Sequence, residues 1–116
     1  MRSPRMSSWV KYHFAHLRRW REYAEAVAKA AKDLRPDAEV YVVGSVAEGR
    51  ATVLSDIDIL VVLEKAGNED RKYLPADIVD RAVEKYSLPV DAPVEIHVAS
   101  REELARWAGK AMIKVG

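Results

Sequence analysis

The chain has 116 residues, of which 49% are hydrophobic and 32% are charged, a balance typical of one globular domain rather than a disordered chain. Its formal net charge of +1 gives no global attraction to nucleic acid or to a membrane surface. The absence of cysteine excludes disulfides and thiolate metal sites, and no apolar run reaches the ~18 residues that a membrane span needs. We therefore expect a cytoplasmic protein whose residues 1–116 form a single domain.

Two features of the composition stand out, the scarcity of side-chain amides and the uneven distribution of charge. The chain has no Gln and a single Asn, Asn68, and this scarcity of thermolabile side chains favours a thermophilic source. The first 21 residues contain no acid, and that end could meet an anionic partner, although a solvated face explains the same pattern. The basic residues of this stretch are Arg2, Arg5, Lys11, Arg18, Arg19 and Arg21.

A long helix is predicted near the start of the chain. Residues 1–7 read as a loose leader, and residues 8–34 carry an apolar stripe at spacings of three, four and seven. Pro36 ends the helix, because proline disfavours helical geometry in the residue before it. A helix of this length would overhang so small a domain, and its aromatic side chains could then serve an interface. These side chains are Trp9, Tyr12 and Trp20.

Strands and helices alternate along the rest of the chain. The predicted elements are a strand at 39–43, a strand at 56–63, a loop at 65–71, a helix at 73–86, a strand at 94–98, and a C-terminal helix and tail at 100–116. Residues 39–98 would form the core of the domain. Residues 60–63 are continuously apolar, as in a strand that is covered on both faces. The order predicts an α/β or α+β fold with a small sheet flanked by helices.

Asp56 and Asp58 are the first candidate metal ligands. Side chains two residues apart on a strand share a face, with Cα atoms roughly 6.5–7 Å apart. Like charges at this distance repel one another unless a cation lies between them. Hard oxygen ligands with no His or Cys nearby favour Mg²⁺ or Mn²⁺ over zinc.

Glu95 would complete a metal site with these two acids. It lies in the last predicted strand, with Val94 and Ile96 on the opposite face. If that strand pairs beside 56–63, Glu95 reaches the same space, and three carboxylates could hold two ions. His97 shares the face of Glu95 and would support the ligands from behind, or be merely structural.

A Gly-Ser turn precedes the acids and is suited to phosphate. Gly44 permits close approach of a ligand or a positive φ, and Ser45 offers a hydroxyl and an N–H at the start of a helical turn. Gly49 and Arg50 could close the loop over a phosphate, or Arg50 could be a surface charge. Each feature alone is common, but the combination at this spacing is much more specific.

The pattern Gly44-Ser45, ten residues, then Asp56-Ile57-Asp58 resembles the signature of the DNA polymerase beta-like nucleotidyltransferase superfamily, and in particular its minimal nucleotidyltransferases. The resemblance implies a mixed sheet and transfer of a nucleoside monophosphate from a nucleoside triphosphate to a hydroxyl. It also implies that Asp56, Asp58 and Glu95 bind two Mg²⁺ ions, while Gly44 and Ser45 hold the triphosphate.

The resemblance also implies a partner. Minimal members typically work with a small helical HEPN protein as a toxin–antitoxin pair, so the chain would adenylylate its partner with ATP as the substrate. Some positions depart from the family pattern: Val46 or Glu48 stands where many members have arginine, and Glu95 stands where the third acid is usually Asp. Nucleotide binding therefore has stronger support than efficient turnover.

Two alternatives stay open at this point. The chain could be a nucleotide-binding antitoxin that blocks its partner by contact alone, which Glu48 and Glu95 favour. It could also be the core of an RNA-terminal nucleotidyltransferase, although its near-neutral charge and short length argue against nucleic acid as a partner. A homodimer is compatible with the sequence.

Overall fold

The computed structural model describes residues 8–52 and 54–116, so the predicted leader at 1–7 lies outside the described residues. Its elements are α1 (Ser8–Arg18), α2 (Trp20–Leu34), β1 (Glu39–Val43), α3 (Gly44–Ala47), β2 (Ile57–Leu63), α4 (Asn68–Tyr86), β3 (Val94–Ser100), a 3₁₀ helix (Glu102–Trp107) and β4 (Ile113–Val115). The mixed α/β architecture confirms the predicted fold class. None of the described helices is both long enough and apolar enough to cross a bilayer.

The four strands form one mixed sheet in the order β3-β2-β1-β4. β1 pairs antiparallel with both β2 and β4, whereas β2 and β3 run parallel. The crossover between the two parallel strands contains α4, as parallel connections usually require. The end of β1 and the starts of β2 and β3 therefore meet at the same edge of the sheet.

β2 is the central strand and is buried on both faces, as its apolar run predicted. Ile57 and Ile59 face the large core that α2 and α4 form on one side of the sheet. Leu60 and Val62 face a smaller apolar cluster on the other side, which Trp107 of the 3₁₀ helix helps to cover. Because side chains alternate along a strand, Asp58 projects on the side of the smaller cluster.

The single long helix predicted at 8–34 is wrong, because the structure has two helices separated at Arg19. Arg19 has φ −95° and ψ 19°, and its N–H bonds to the carbonyl of His16, three residues back, at 3.1 Å. The break lets α1 follow loops at the edge of the sheet while α2 packs against the sheet itself. The periodicity continues across the break, so the sequence pattern could not reveal it.

The C-terminal prediction also needs correction. The predicted helix and tail at 100–116 contain the short 3₁₀ helix and then β4, which pairs Val42 with Ile113. Three residues carry too little alternation to be recognised as a strand from sequence. The loop predicted at 65–71 is wrong in part, since α4 already begins at Asn68 and accommodates Pro75 in its interior. The carboxylate of Asp70 accepts a hydrogen bond from the Gly67 N–H at 3.0 Å, which fixes this early start.

Helix α1 contacts two loops, one that leads into β2 and one that leads into β3. His13 Nε2 lies 3.3 Å from the carbonyl oxygen of Ser55, which precedes β2. Tyr12 donates its hydroxyl to Asp91, just before β3, and this hydrogen bond lowers the pKa of Asp91. His16 Nε2 lies 3.6 Å from the same carboxylate. α1 therefore supports both loops from one side and leaves Trp9 57% exposed.

Glu103 fastens the 3₁₀ helix to the end of β3. Its carboxylate accepts hydrogen bonds from the Arg71 guanidinium, at 3.1 Å for one pair of atoms, and from the Ser100 hydroxyl at 3.0 Å. The bond from Arg71 and then those from Ser100 lower the pKa of Glu103 from 4.5 to about 2. A carboxylate whose pKa is depressed by folding stabilises the fold above its ordinary pKa, and this stabilisation is lost as the pH falls through the folded pKa.

We expect Glu103→Gln to lower the unfolding temperature most at pH values above 4.5, and the difference from wild type to shrink as the pH falls toward 2. Thermal unfolding followed by circular dichroism across this range measures the difference. Glu84→Gln, at an exposed carboxylate of α4, is the control. A difference for Glu103→Gln that stays constant with pH would contradict the assignment.

Candidate metal and nucleotide site

Two carboxylates and an imidazole meet at the edge of the sheet where β2 and β3 begin. Asp58, Glu95 and His97 each offer one ligand atom, and these atoms all lie within 4.8 Å of one another. His97 Nε2 is 3.2 Å from Asp58 Oδ1. Asp58 is partly buried and Glu95 is exposed, so the cluster opens to solvent on one side. Among residues 8–52 and 54–116, no other group of three acids or histidines comes this close together.

The strand register creates this cluster. β2 and β3 run parallel, with Asp58 opposite Glu95 and Leu60 opposite His97. Opposed residues of neighbouring strands project on the same face, and positions two apart on one strand share that face. Asp58, Glu95 and His97 must therefore point to the side of the sheet that carries the 3₁₀ helix.

The Gly-Ser turn lies directly against Asp58. Val43 pairs with Asp58 in the antiparallel register, so Gly44 follows immediately beside it. A Cβ placed on Gly44 would lie 2.4 Å from Asp58 Oδ2, and Gly44 adopts φ +70°. Both facts require glycine at this position. The turn and the carboxylate thus share one small space, as expected if a phosphate and a cation were to meet there.

Ser45 stands at the start of the short helix α3. Amides in the first turn of a helix have no acceptor within that helix, so the N–H and hydroxyl of Ser45 can both be directed at an anion. The Ser45 carbonyl accepts a hydrogen bond from the Arg50 N–H at 2.8 Å, which closes the loop behind α3. This arrangement suits the triphosphate role predicted for Gly44 and Ser45.

Gly49 and Arg50 have structural explanations of their own. Gly49 has φ +71° with open space around its Cβ position, so it serves the turn. Arg50 pairs with Glu48, with 3.2 Å between Nε and Oε2, and the Arg50 side chain is 69% exposed. This ion pair neutralises the acid that departs from the family pattern. Phosphate contacts from Gly49 and Arg50 stay predictions.

Asp56 is the predicted ligand that the structure does not bring into the cluster. It lies one residue before β2, not within the strand as predicted, and it is exposed. The loop that leads to it is held by Ser55, whose hydroxyl accepts from the Thr52 N–H at 2.9 Å. Its predicted role as a metal ligand stays a prediction.

His97 lies among the candidate ligands, whereas the sequence predicts it only as a support for them or as a structural residue. The sequence does place Glu95 and His97 on the same face of a strand, because they are two residues apart. A set of two carboxylates and one imidazole fits a divalent cation, with the carboxylates suited to Mg²⁺ or Mn²⁺ and the imidazole adding affinity for softer ions such as Zn²⁺.

We expect His97→Gln to weaken Zn²⁺ and Mn²⁺ binding by about tenfold while Mg²⁺ binding changes much less, because imidazole contributes mainly to the softer ions. Competition with a metal-sensitive fluorescent indicator measures the three affinities. His13→Gln is the matched control, since His13 lies outside the cluster. An unchanged affinity for Zn²⁺ in the His97 variant would show that the imidazole is not a ligand.

A cleft of considerable size lies elsewhere. It has a volume of about 680 Å³ and is lined by Lys65, Ser100, Arg101 and their neighbours, at the far ends of β2 and β3. Arg101 is engaged there with Glu64 at 3.0 Å and with Glu39 at 3.0 Å. None of the three cluster residues lines this cleft, so its size does not make it the chemical site.

Comparison with known proteins gives the family. The profile described as the nucleotidyltransferase domain matches residues 24–113, which is most of the chain. A crystal structure of a candidate nucleotidyltransferase from Sulfolobus solfataricus has a TM-score of 0.57 at 24% identity, covering 96% of this chain and 90% of that chain. A second candidate nucleotidyltransferase has a TM-score of 0.49 at 24% identity, covering 76% of this chain and 91% of that one. No curated protein matches by sequence.

Proposed function

This chain belongs to the nucleotidyltransferase domain family, consistent with its minimal form, and we propose that it transfers AMP from ATP to a hydroxyl group on a partner protein. The observation that carries the proposal is the cluster of Asp58, Glu95 and His97, in which Asp58 lies directly against Gly44 of the Gly-Ser turn. Ion ligands and an anion-binding turn at the same sheet edge are what a metal-bound triphosphate requires.

Asp58 and Glu95 would hold the divalent cation, Mg²⁺ or Mn²⁺, with His97 beside them and Asp56 as a further ligand for a second ion. A bound divalent cation would neutralise the charge that builds up on the phosphate oxygens. Ser45 would hold the outer phosphates through its N–H and hydroxyl. Because Arg50 already compensates Glu48, the loop adds no net negative charge to this surface.

The transfer step places each side chain in a role. The acceptor oxygen forms a bond to the α-phosphorus, and the bond from that phosphorus to the α,β-bridging oxygen breaks. Pyrophosphate leaves toward the Gly44-Ser45 turn. The acceptor proton passes to the Glu95 carboxylate, which is exposed and can release it to solvent. The contribution of the chain is mainly positioning and charge stabilisation.

The partner in this proposal is a small helical protein of the HEPN type, which the chain would modify and silence as the antitoxin of a pair. Helix α1 supports a protein contact, since Trp9 and Tyr12 are 57% and 56% exposed. Exposed aromatic side chains are typical of protein interfaces. The same surface could instead join two copies of this chain.

A second candidate function is inhibition of the partner by contact alone. The exposed aromatic face of α1 favours this function, because a contact surface alone is sufficient for such inhibition. An RNA-terminal activity is a third candidate, and incubation with labelled tRNA tests it directly.

Transfer of label from ATP radiolabelled at the α-phosphate to a HEPN-type protein encoded beside this chain, with Mg²⁺, tests the proposal. We expect labelling with wild type and none with Asp56→Ala/Asp58→Ala. If no label is transferred and the double variant still inhibits the partner, contact alone is the function. Loss of inhibition together with loss of labelling supports the enzyme.

A further inference from the structure

A groove borders the metal-ligand cluster on its β3 side. It runs from β3 to the 3₁₀ helix over a floor formed by Leu60 and Ala99. Because His97 belongs both to the cluster and to the groove wall, the two sites are continuous. The polar and aromatic side chains of the wall are Arg71, His97, Glu103, Arg106, Trp107 and Lys110.

The groove carries an excess of positive charge. Three of its side chains are cations and one is an acid, which leaves two positive charges over. Arg71 donates to both oxygens of the Glu103 carboxylate, and Arg106 Nη1 lies 3.7 Å from Oε2, the oxygen that accepts from Arg71 Nη1 at 3.1 Å. The Arg106 side chain is 80% exposed and Lys110 is exposed. The whole chain has a net charge of only +1, so this excess is a local feature.

Trp107 indicates the kind of anion that fits. Its ring packs against the small apolar cluster, and Lys110 Nζ lies 5.5 Å from the ring centroid. The imidazole of His97 lies 6.4 Å away, centroid to centroid. A nucleobase stacked on this ring would have to displace the lysine, whereas a carboxylate could bind to the ammonium where it stands. The side chains around Trp107 therefore favour binding of carboxylates over stacking of nucleobases.

The sheet order places the groove on the acceptor side of the reaction. Gly44 and Ser45 follow β1, on one side of Asp58, whereas the groove adjoins β3, on the other. In an in-line displacement, the leaving pyrophosphate and the attacking oxygen lie on opposite sides of the phosphorus. If pyrophosphate leaves toward the turn, the acceptor hydroxyl enters from β3.

We propose that this groove binds an acidic segment of the acceptor polypeptide, next to the hydroxyl that is modified. The inference rests on the proposed function and adds a substrate determinant to it. Arg106 and Lys110 would pair with acceptor carboxylates, which brings the hydroxyl toward Glu95. They are positioning residues and do not touch the reacting atoms.

The test uses a fluorescent random copolymer of glutamate and tyrosine as the acidic acceptor probe. Its binding is measured by fluorescence anisotropy with wild type, with Arg106→Glu/Lys110→Glu, and with the control Lys29→Glu/Lys72→Glu. The control reverses two exposed lysines that also lie over aromatic rings, at 5.9 and 5.3 Å, outside the groove. A lysine–tyrosine copolymer and a single-stranded RNA oligonucleotide are the comparison probes.

We expect the groove variant to bind the acidic copolymer at least about tenfold more weakly, and the control variant to stay within about twofold of wild type. KM for labelling of the copolymer should rise far more than kcat falls, and the rise in unfolding temperature caused by Mg²⁺ and ATP should be the same in all three proteins.

Equal loss of copolymer binding in the groove and control variants would overturn the inference. It would also be overturned if the groove variant lost binding of the RNA oligonucleotide but kept binding of the acidic copolymer. Failure of the proposed function gives a different result. Groove-dependent binding of the acidic copolymer, together with no label transfer to the HEPN-type partner, would support the groove and contradict the enzyme.

Discussion

Gly44→Ala is expected to lower the rate of nucleotidyl transfer severely while leaving a folded protein. The new Cβ would lie 2.4 Å from Asp58 Oδ2 and 3.2 Å from its Cγ. The least disruptive relief is rotation of the Asp58 carboxylate, which changes the distances of its oxygens from Glu95 and His97. A misplacement of about 1 Å at a reacting centre can cost on the order of 10²-fold in rate, so we expect at least that loss.

The stability cost of this variant should be smaller than its effect on activity. Alanine at φ +70° costs about 1–2 kcal/mol in backbone strain, and the contact with Asp58 adds to this. Chemical denaturation measures the free energy of unfolding, and label transfer from ATP measures the activity.

Gly109→Ala is the matched control, because Gly109 has φ +80° and no atom within 4 Å of its Cβ position, and no phosphate contact is predicted for it. It should lose a similar ~1–2 kcal/mol from backbone strain and keep its transfer rate within a few fold. Equal loss of activity in both variants would mean that the Gly44 effect comes from the strained turn and not from the contact with Asp58.

Asp58→Asn is expected to have the largest effect on chemistry. Asp58 lies against the Gly-Ser turn, bonds His97 at 3.2 Å and lies within ligand-sharing distance of Glu95. Asparagine keeps its shape and removes its charge. Loss of a principal electrostatic group from such a site lowers kcat by roughly 10²–10³-fold or more.

The same substitution should change stability little. Removing one of two neighbouring acids relieves their repulsion, which offsets the weaker hydrogen bond to His97. Steady-state transfer assays and thermal unfolding of the same preparations separate the two effects. Asp77→Asn, at an exposed position on α4, is the control for loss of a carboxylate. An Asp58→Asn enzyme with near wild-type kcat would remove Asp58 from the site.

Asp56→Asn completes this comparison. Asp56 is exposed and lies just before β2, outside the three-residue cluster. A loss as large as that of Asp58→Asn would add Asp56 to the ligands, as the family resemblance implies. A small loss would confine the metal site to Asp58, Glu95 and His97.

The sequence predicted the centre of the fold better than its ends. The apolar run of β2 and the alternation around Glu95 are strong local signals, and the structure pairs Asp58 with Glu95 as those signals indicated. The break at Arg19 and the three residues of β4 had no comparable signal, because tertiary contacts decide them. β4 forms by pairing with β1 along the side of β1 that does not pair with β2.

The details of the site depended on geometry that spacing alone does not contain. The contact between Gly44 and Asp58 requires the register of β1 against β2, and the position of His97 requires that of β2 against β3. The sequence allowed Arg50 to lie over a phosphate or to be a surface charge, and in the structure it pairs with Glu48. Ion pairs between side chains two residues apart in a loop depend on the turn, which the sequence did not specify.

Binding of Mn²⁺ is the most direct test of the metal and nucleotide site. The electron paramagnetic resonance signal of free Mn²⁺ is titrated with protein in the presence of a non-hydrolysable ATP analogue, for wild type and for Asp58→Asn. If the cluster beside the Gly-Ser turn holds the ion with the triphosphate, wild type depletes the free signal and Asp58→Asn leaves it near the level of the analogue alone. Equal depletion by both proteins would contradict the account.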